Sequence, residues 1–224
     1  ALELKKGELV LDAGCGAGGT SVWVAQKYPV GVIGITIVDS QIPKASEHAR
    51  LHNVQNRVSF CVADYTKTPF AAQTFNKIYA IESSCYALQK KDFITEAYRL
   101  LKPGGKLVVL DAFRIKKVLD ATSTKMYQDF LDGFVLDNLA FKTEFYQNMK
   151  TVGFTKITYA SQSAGVWKTL LYYHFICTLI YPFVALLEKI GVMKNSLGHI
   201  VAARNSKYLI ENKILDYAVF TGTK

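Results

Sequence analysis

The sequence predicts an α/β fold built on a mostly parallel sheet, and three observations predict it. Short apolar runs alternate with amphipathic stretches through the first half of the chain, the pattern of repeated βαβ units. A glycine-rich turn stands directly behind the first apolar run. A Leu-Leu-Lys-Pro-Gly-Gly break at residues 100–105 ends a helical stretch immediately before another strand-like run.

The elements follow in order. Strands are expected at Leu9–Ala13, Gly31–Ile37, Arg57–Val62, Lys77–Ile81 and Lys106–Ala112, with helices beginning near Gly18, Ser40 and Lys91. A helix near Asp137–Thr151 leads into a strand at Thr155–Ala160, and Ile214–Thr221 reads as the last strand. At 224 residues the chain has the size of one domain. It is read as a single domain over 1–224, with a helical apolar cap over 161–213 inserted between the last two strands, because that stretch is too long for a plain loop.

Composition narrows the class. Half the residues are hydrophobic and 20% are charged, which excludes a disordered chain. The four cysteines (Cys15, Cys61, Cys85, Cys177) form no CxxC pair, which argues against a metal site and for a reducing compartment, hence a cytoplasmic location. The first residues are amphipathic and lead straight into a strand, unlike a secretory leader. The net charge is +9. Residues 1–112 carry 13 basic and 10 acidic side chains and residues 113–224 carry 14 and 8, with no run longer than a Lys-Lys pair. A solvated basic surface is the first reading, an anionic membrane surface the second and nucleic acid the third.

The glycine turn carries the chemistry. Asp12-Ala13-Gly14-Cys15-Gly16-Ala17-Gly18-Gly19 has the spacing D-x-G-x-G-x-G, which differs from the dinucleotide G-x-G-x-x-G, and it lacks the Gly-Lys-Ser/Thr of an NTPase loop. Glycines there give tight turns and let a ligand approach the backbone. Two further stretches matter: Gly34-Ile35-Thr36-Ile37-Val38-Asp39-Ser40-Gln41, and Tyr79-Ala80-Ile81-Glu82-Ser83-Ser84-Cys85-Tyr86.

On these three stretches the sequence resembles the class I S-adenosylmethionine-dependent methyltransferases, and within them the C-methyltransferases of sterol side chains and the tocopherol (prenylquinol) methyltransferases. The resemblance implies a Rossmann-like sheet with the last strand antiparallel, and S-adenosyl-L-methionine as cofactor with S-adenosyl-L-homocysteine as product. It assigns Gly14, Gly16 and Gly18 to the methionine moiety and ribose, with Cys15 in the same loop as a small buried filler. Asp12 would orient the loop and the cofactor's amino group. Thr36 and Gln41 would hold the ribose where many relatives have an acid. Asp64 would accept from the adenine amino group and Tyr65 would cover the adenine face. Asp12 and Asp64 also read as turn or helix caps, and Tyr65 as an ordinary packing aromatic. Relatives carry helices ahead of the glycine motif, whereas here the motif strand begins at residue 9. The covering then falls to the cap, or to a segment preceding this sequence.

Glu82 follows the fourth strand, at the edge where open α/β sheets place ligands. A carboxylate there is expected to be partly desolvated and to serve as base or cation stabiliser beside cofactor and acceptor, with a structural anchor as the competing reading. Tyr86 stands where the sterol enzymes have His and offers a hydroxyl and a ring face. Asp111, His174 and His199 are secondary candidates; His48 and His52 face solvent on periodicity.

Residues 169–187 contain no Asp, Glu, Lys or Arg and reach the length of a membrane span. Three uses are open: a buried or homodimer-forming helix pair kinked at Pro182, an apolar lid that lines the acceptor pocket and touches a bilayer, and a transmembrane helix. In the lid reading, Tyr172, Tyr173, Phe175, Tyr181 and Phe183 wall the pocket, and Lys168, Lys189 and Lys194 flank it. The expected acceptor is a lipophilic small molecule, methylated on carbon; N- or O-methylation of a small amine or phenol is the alternative. Nucleic acid is not expected, because Ile81-Glu82-Ser83-Ser84 replaces the Asn/Asp-Pro-Pro-aromatic run of base-amino methyltransferases.

Overall fold

The computed structural model describes residues 2–193 and 196–224. Seven strands form one sheet in the order β3-β2-β1-β4-β5-β7-β6. They are β1 (Leu9–Ala13), β2 (Gly31–Thr36), β3 (Val58–Val62), β4 (Phe75–Ile81), β5 (Leu101–Arg114), β6 (Thr155–Ser161) and β7 (Leu215–Thr223). The helices are α1 (Gly19–Lys27), α2 (Gln41–Leu51), α3 (Lys90–Leu100), α4 (Ala121–Phe134), α5 (Lys142–Val152), α6 (Ser163–Lys189) and α7 (Ser196–Glu211).

Strands β1 to β5 are parallel, with Asp12 beside both Gly34 and Tyr79. β7 runs the other way: Lys224 N–H donates to Gly105 O, whereas Ile115 N–H donates to Ile214 O, so partners descend along β7 as they rise along β5. The mostly parallel sheet with an antiparallel last strand is therefore as expected. So is the placing of α6 between β6 and β7.

The chain forms two compact units that alternate along the sequence. The first comprises 1–111, 144–160 and 219–224; the second comprises 112–143 and 161–218. In the first, β1, β2 and β4 are buried on both faces, with Leu11, Ile35, Ile78 and Tyr79 all but inaccessible. That explains their near-continuous apolar runs. In the second, α7 packs between α4 and α6. The approach to α4 is close because Gly133 lies against the backbone of Gly198, where a Cβ on Gly133 would overlap the Gly198 carbonyl.

The differences from expectation have local causes. α4 falls in a stretch given no element by the sequence reading, and its N-cap is Asp120, whose carboxylate accepts from Ser123 N–H at 2.8 Å. α5 starts five residues later than expected, because Phe141 is still bridged to Arg114 in strand fashion. β5 begins at Leu101, and Lys102–Gly105 form an irregularity in its register with β4. Helix α6 runs unbroken through Pro182, so the helix pair divides after Lys189 and not at the proline. Lys194 lies outside the described residues.

Candidate functional site

The β1–α1 turn folds back on its neighbours. The amides of Gly14 and Cys15 both donate to Ile35 O, at 2.9 and 2.8 Å, and Gly18 N–H donates to Cys15 O at 2.9 Å. The three glycines have different reasons to be glycine. A Cβ on Gly14 would lie 2.4 Å from the Ser83 Cβ, and one on Gly18 would lie 2.7 Å from the Phe60 ring. Gly16, at φ +54°, would meet nothing within 4 Å. Two glycines therefore admit protein neighbours, and Gly16 leaves a stretch of backbone open. α1 follows with Gly18 as N-cap and no side chain capping it, so its first amides, at the positive end of the helix, have no side-chain acceptor from the cap. This is a cradle that a backbone-hugging anion or zwitterion fits.

Asp12 sits beneath it, 2% exposed. Its Oδ2 accepts from Ser21 Oγ at 2.6 Å and from Tyr79 Oη at 2.9 Å. Burial outweighs both bonds and raises its pKa to about 6. Cys15 is buried, and burial first, then the nearby Asp12 carboxylate, push its thiol to about 12, so it is no nucleophile.

Thr36 and Gln41 are bonded to each other. Thr36 Oγ1 donates to Gln41 Oε1 at 2.8 Å and accepts from Val38 N–H at 3.2 Å. Beside them Ile37 and Val38 are exposed at the tip of β2, as is Val62 at the tip of β3. Asp64 caps its own turn: Oδ1 accepts from the N–H and hydroxyl of Thr66 at 2.8 and 2.7 Å. Tyr65 donates its hydroxyl to Ser83 O at 2.8 Å and packs edge-on against Phe93.

The segment after β4 is tied at almost every residue. Ser83 Oγ donates to Ala13 O at 2.6 Å, stapling this loop to the glycine turn. Asp111, buried within β5, accepts from Ser84 Oγ and Cys85 N–H at 2.7 and 2.9 Å. Lys90 is buried and donates to Cys85 O and Ala87 O at 2.7 and 2.5 Å. Glu82 is the strained member, at φ 50° with its N–H on Leu110 O. A non-glycine residue in that region costs on the order of 1–3 kcal/mol, and such residues cluster at working sites. The expected desolvation of Glu82 is not found: its side chain is exposed, because the left-handed turn swings it off the strand end. Tyr86 is also exposed, on the short helical turn Ser84–Tyr86, and its partial burial raises its phenol pKa.

Sequence reasoning missed Ser83, Ser84 and Lys90. The small Ser-Ser pair behind Glu82 was the available signal for a close loop-to-loop approach. The histidines are engaged elsewhere: His174 Nδ1 lies 3.0 Å from Arg204 O, His199 packs on Phe134, and His48 and His52 meet edge to face. Of the five aromatics expected to wall a pocket, Tyr172, Tyr173, Phe175 and Phe183 are at least half exposed, and Tyr181 lies under the Arg204 guanidinium. As they stand, those four enclose nothing. Among the described residues, no group of three His, Cys, Asp or Glu is placed to hold a metal ion.

Residues 4–149, well over half of the chain, match the family described as the methyltransferase domain. The chain belongs to that family. It is a class I methyltransferase domain, the kind that uses S-adenosylmethionine, and Gly16 with the uncapped start of α1 fits that cofactor. It is 39% identical over 108 residues to the sterol 24-C-methyltransferase of Saccharomyces cerevisiae, covering 48% of this sequence and 28% of that one. It is 38% identical over 116 residues to phosphoethanolamine N-methyltransferase 3 of Arabidopsis thaliana, covering 52% and 23%. The methyltransferase thus spans about a quarter of these curated relatives. Among solved structures, the geranyl diphosphate C-methyltransferase of Streptomyces coelicolor A3(2), in complex with S-adenosyl-L-homocysteine, superposes with a TM-score of 0.75 at 18% identity, over 99% of this sequence and 74% of that one. At that identity the likeness is one of fold.

Proposed function

We propose that this methyltransferase moves the methyl group of S-adenosylmethionine onto a lipophilic small molecule of the sterol, prenylquinol or isoprenoid class, at carbon. The observation that carries the reading is the end of β4. There a strained Glu82 presents an exposed carboxylate with exposed apolar neighbours, Ile81, Tyr86 and Leu88. Two relatives named for carbon methylation of a sterol and of a prenyl diphosphate support it.

The residues divide the work. Gly16 and the first amides of α1 receive the carboxylate end of the cofactor's methionine. Asp12, through the Oδ1 that takes neither bond from Ser21 nor from Tyr79, faces its amino group. Gln41, oriented by Thr36, holds the ribose; Ile37, Val38 and Val62 flank the adenine, with Asp64 at its amino group. In this reading Gly14, Gly18, Cys15 and Tyr65 shape the cradle without reaching the ligand. When bound, the cofactor supplies an electrophilic sulfonium methyl. Positioning of that methyl against an acceptor carbon is worth roughly 7–11 kcal/mol. A carbon acceptor develops positive charge, which the Glu82 carboxylate and the Tyr86 ring face would stabilise, Glu82 then taking the proton that is lost.

Sterol and prenylquinol acceptors reside in a bilayer, so the reading includes a cytoplasmic enzyme working against a membrane surface. Homodimerisation through α6 is the competing use of the same face. N-methylation of a small amine is the second reading, favoured by the phosphoethanolamine relative. Product analysis after incubation with sterols, prenylquinols, isoprenoid diphosphates and small amines separates them. A new carbon–methyl bond on a lipophilic acceptor is expected; methylation confined to water-soluble amines overturns the proposal.

A further inference from the structure

Helix α6 carries an apolar face that no other described element covers. Tyr172, Phe175, Leu179, Phe183 and Leu186, with Ile190 just past its end, are each more than half exposed. Their spacing of three and four residues places them on one stripe of the helix. Lys168 lies on the same stripe at one end, and Lys189 borders it at the other. Twenty-one residues of helix put the two lysines about 31 Å apart. Both are exposed, and among the described residues neither is ion-paired.

The opposite side of α6 is occupied. Cys177 and Val184 are buried there, His174 lies on Arg204 O, the Arg204 guanidinium covers Tyr181 and the Lys207 ammonium covers Trp167. Ser163, the first residue of α6, is bound to Asp216 at 2.5 Å. α6 is the one helix among the described residues long and apolar enough to cross a membrane. Crossing would carry Arg204, Lys207 and Glu211 of α7 into hydrocarbon with it, which membranes resist.

We infer that α6 docks this protein in the plane of an anionic lipid surface, its stripe sunk among the acyl tails and Lys168 and Lys189 reaching the phosphates. The charge sign argues for this occupant. A stripe bracketed by unpaired cations would bring like charges together in a two-fold pair of copies, whereas it complements an anionic headgroup layer. The inference deepens the proposed function, because it gives an enzyme of lipophilic acceptors a way to meet them.

The test is sedimentation of the 224-residue protein with vesicles of phosphatidylcholine alone, or with about a third phosphatidylglycerol, the proportion that gives a surface potential of the cellular kind. Leu179→Asp/Phe183→Asp and Lys168→Glu/Lys189→Glu variants are run beside it, with S-adenosylhomocysteine binding and thermal melting as controls for folding. Binding to the anionic vesicles is expected, salt-sensitive, lost at least tenfold in either double variant and removed by an alkaline wash. Any one of four results overturns the inference: no binding to anionic vesicles, equal binding to neutral ones, association that survives the alkaline wash, or a salt-stable dimer broken by Leu179→Asp/Phe183→Asp. Absence of vesicle binding with intact S-adenosylhomocysteine binding sinks the docking alone. Loss of transfer to every lipophilic acceptor in detergent sinks the acceptor class instead.

Discussion

Gly14 and Ser83 approach so closely that a Cβ on Gly14 would lie 2.4 Å from the Cβ of Ser83. Ser83 also donates to Ala13 O, so the glycine turn and the loop after β4 are clamped as one piece. Gly16, two residues on, faces open space. Gly14→Ala should destabilise the fold by about 2 kcal/mol or more, through overlap and a forbidden φ together. Gly16→Ala should cost about 1–2 kcal/mol from φ alone yet lose S-adenosylhomocysteine affinity more severely. Thermal melting and calorimetry on both variants check the split; equal loss of binding per unit of stability in the two would contradict it.

Burial holds the Asp12 carboxyl at about 6, against an ordinary 3.8. The folded state therefore binds a proton that the unfolded chain has released. Stability falls as pH rises from about 4 to about 6 and is flat above, by at most about 3 kcal/mol. Asp12→Asn keeps an acceptor for Ser21 and Tyr79 but cannot ionise. The melting temperature of the variant relative to the parent should climb between pH 4 and 6; a constant difference would show that Asp12 ionises without penalty.

Thr36 and Gln41 form a unit in which the threonine orients the glutamine. Gln41→Ala should weaken cofactor binding about tenfold with little change in stability. Thr36→Val should weaken it similarly and also cost about 1 kcal/mol of stability, since Val38 N–H loses its acceptor. Binding and melting curves on the two variants distinguish a ligand contact from its support.

Much of the frame was legible in the sequence, and the reason is local. Strands β1, β2 and β4 are apolar runs buried on both faces, and the alternating glycines mark the turn because only they tolerate its positive φ. Helix α4 carried signals that the sequence reading passed over: a capping Asp120, then Ser123, Tyr127, Phe130 and Leu131 buried at helical spacing. The site was half legible. Thr36 with Gln41 is a contact five residues apart, but Ser83 with Ala13 spans 70. Lys90 carries no sequence signal of its own, because nothing nearby in sequence shows that Cys85 O and Ala87 O await it. The exposure of Glu82 depends on a left-handed backbone that no residue type announces.

Glu82→Gln should spare cofactor affinity to within about threefold and slow transfer by about a hundredfold or more, the usual worth of a positioned acid–base group. Single-turnover rates at saturating cofactor read this directly. Unchanged turnover would remove Glu82 from the chemistry and leave its strained backbone as a loop anchor.

In the proposed function one cradle binds the cofactor and serves a lipophilic acceptor. Calorimetric titration with S-adenosylhomocysteine, repeated in the presence of a sterol, a prenylquinol, an isoprenoid diphosphate or a simple amine, tests it most directly. Binding of S-adenosylhomocysteine by the protein is expected, strengthened by at least one lipophilic acceptor and unaffected by the amine. No binding to the intact glycine turn, or strengthening by the amine alone, would contradict it.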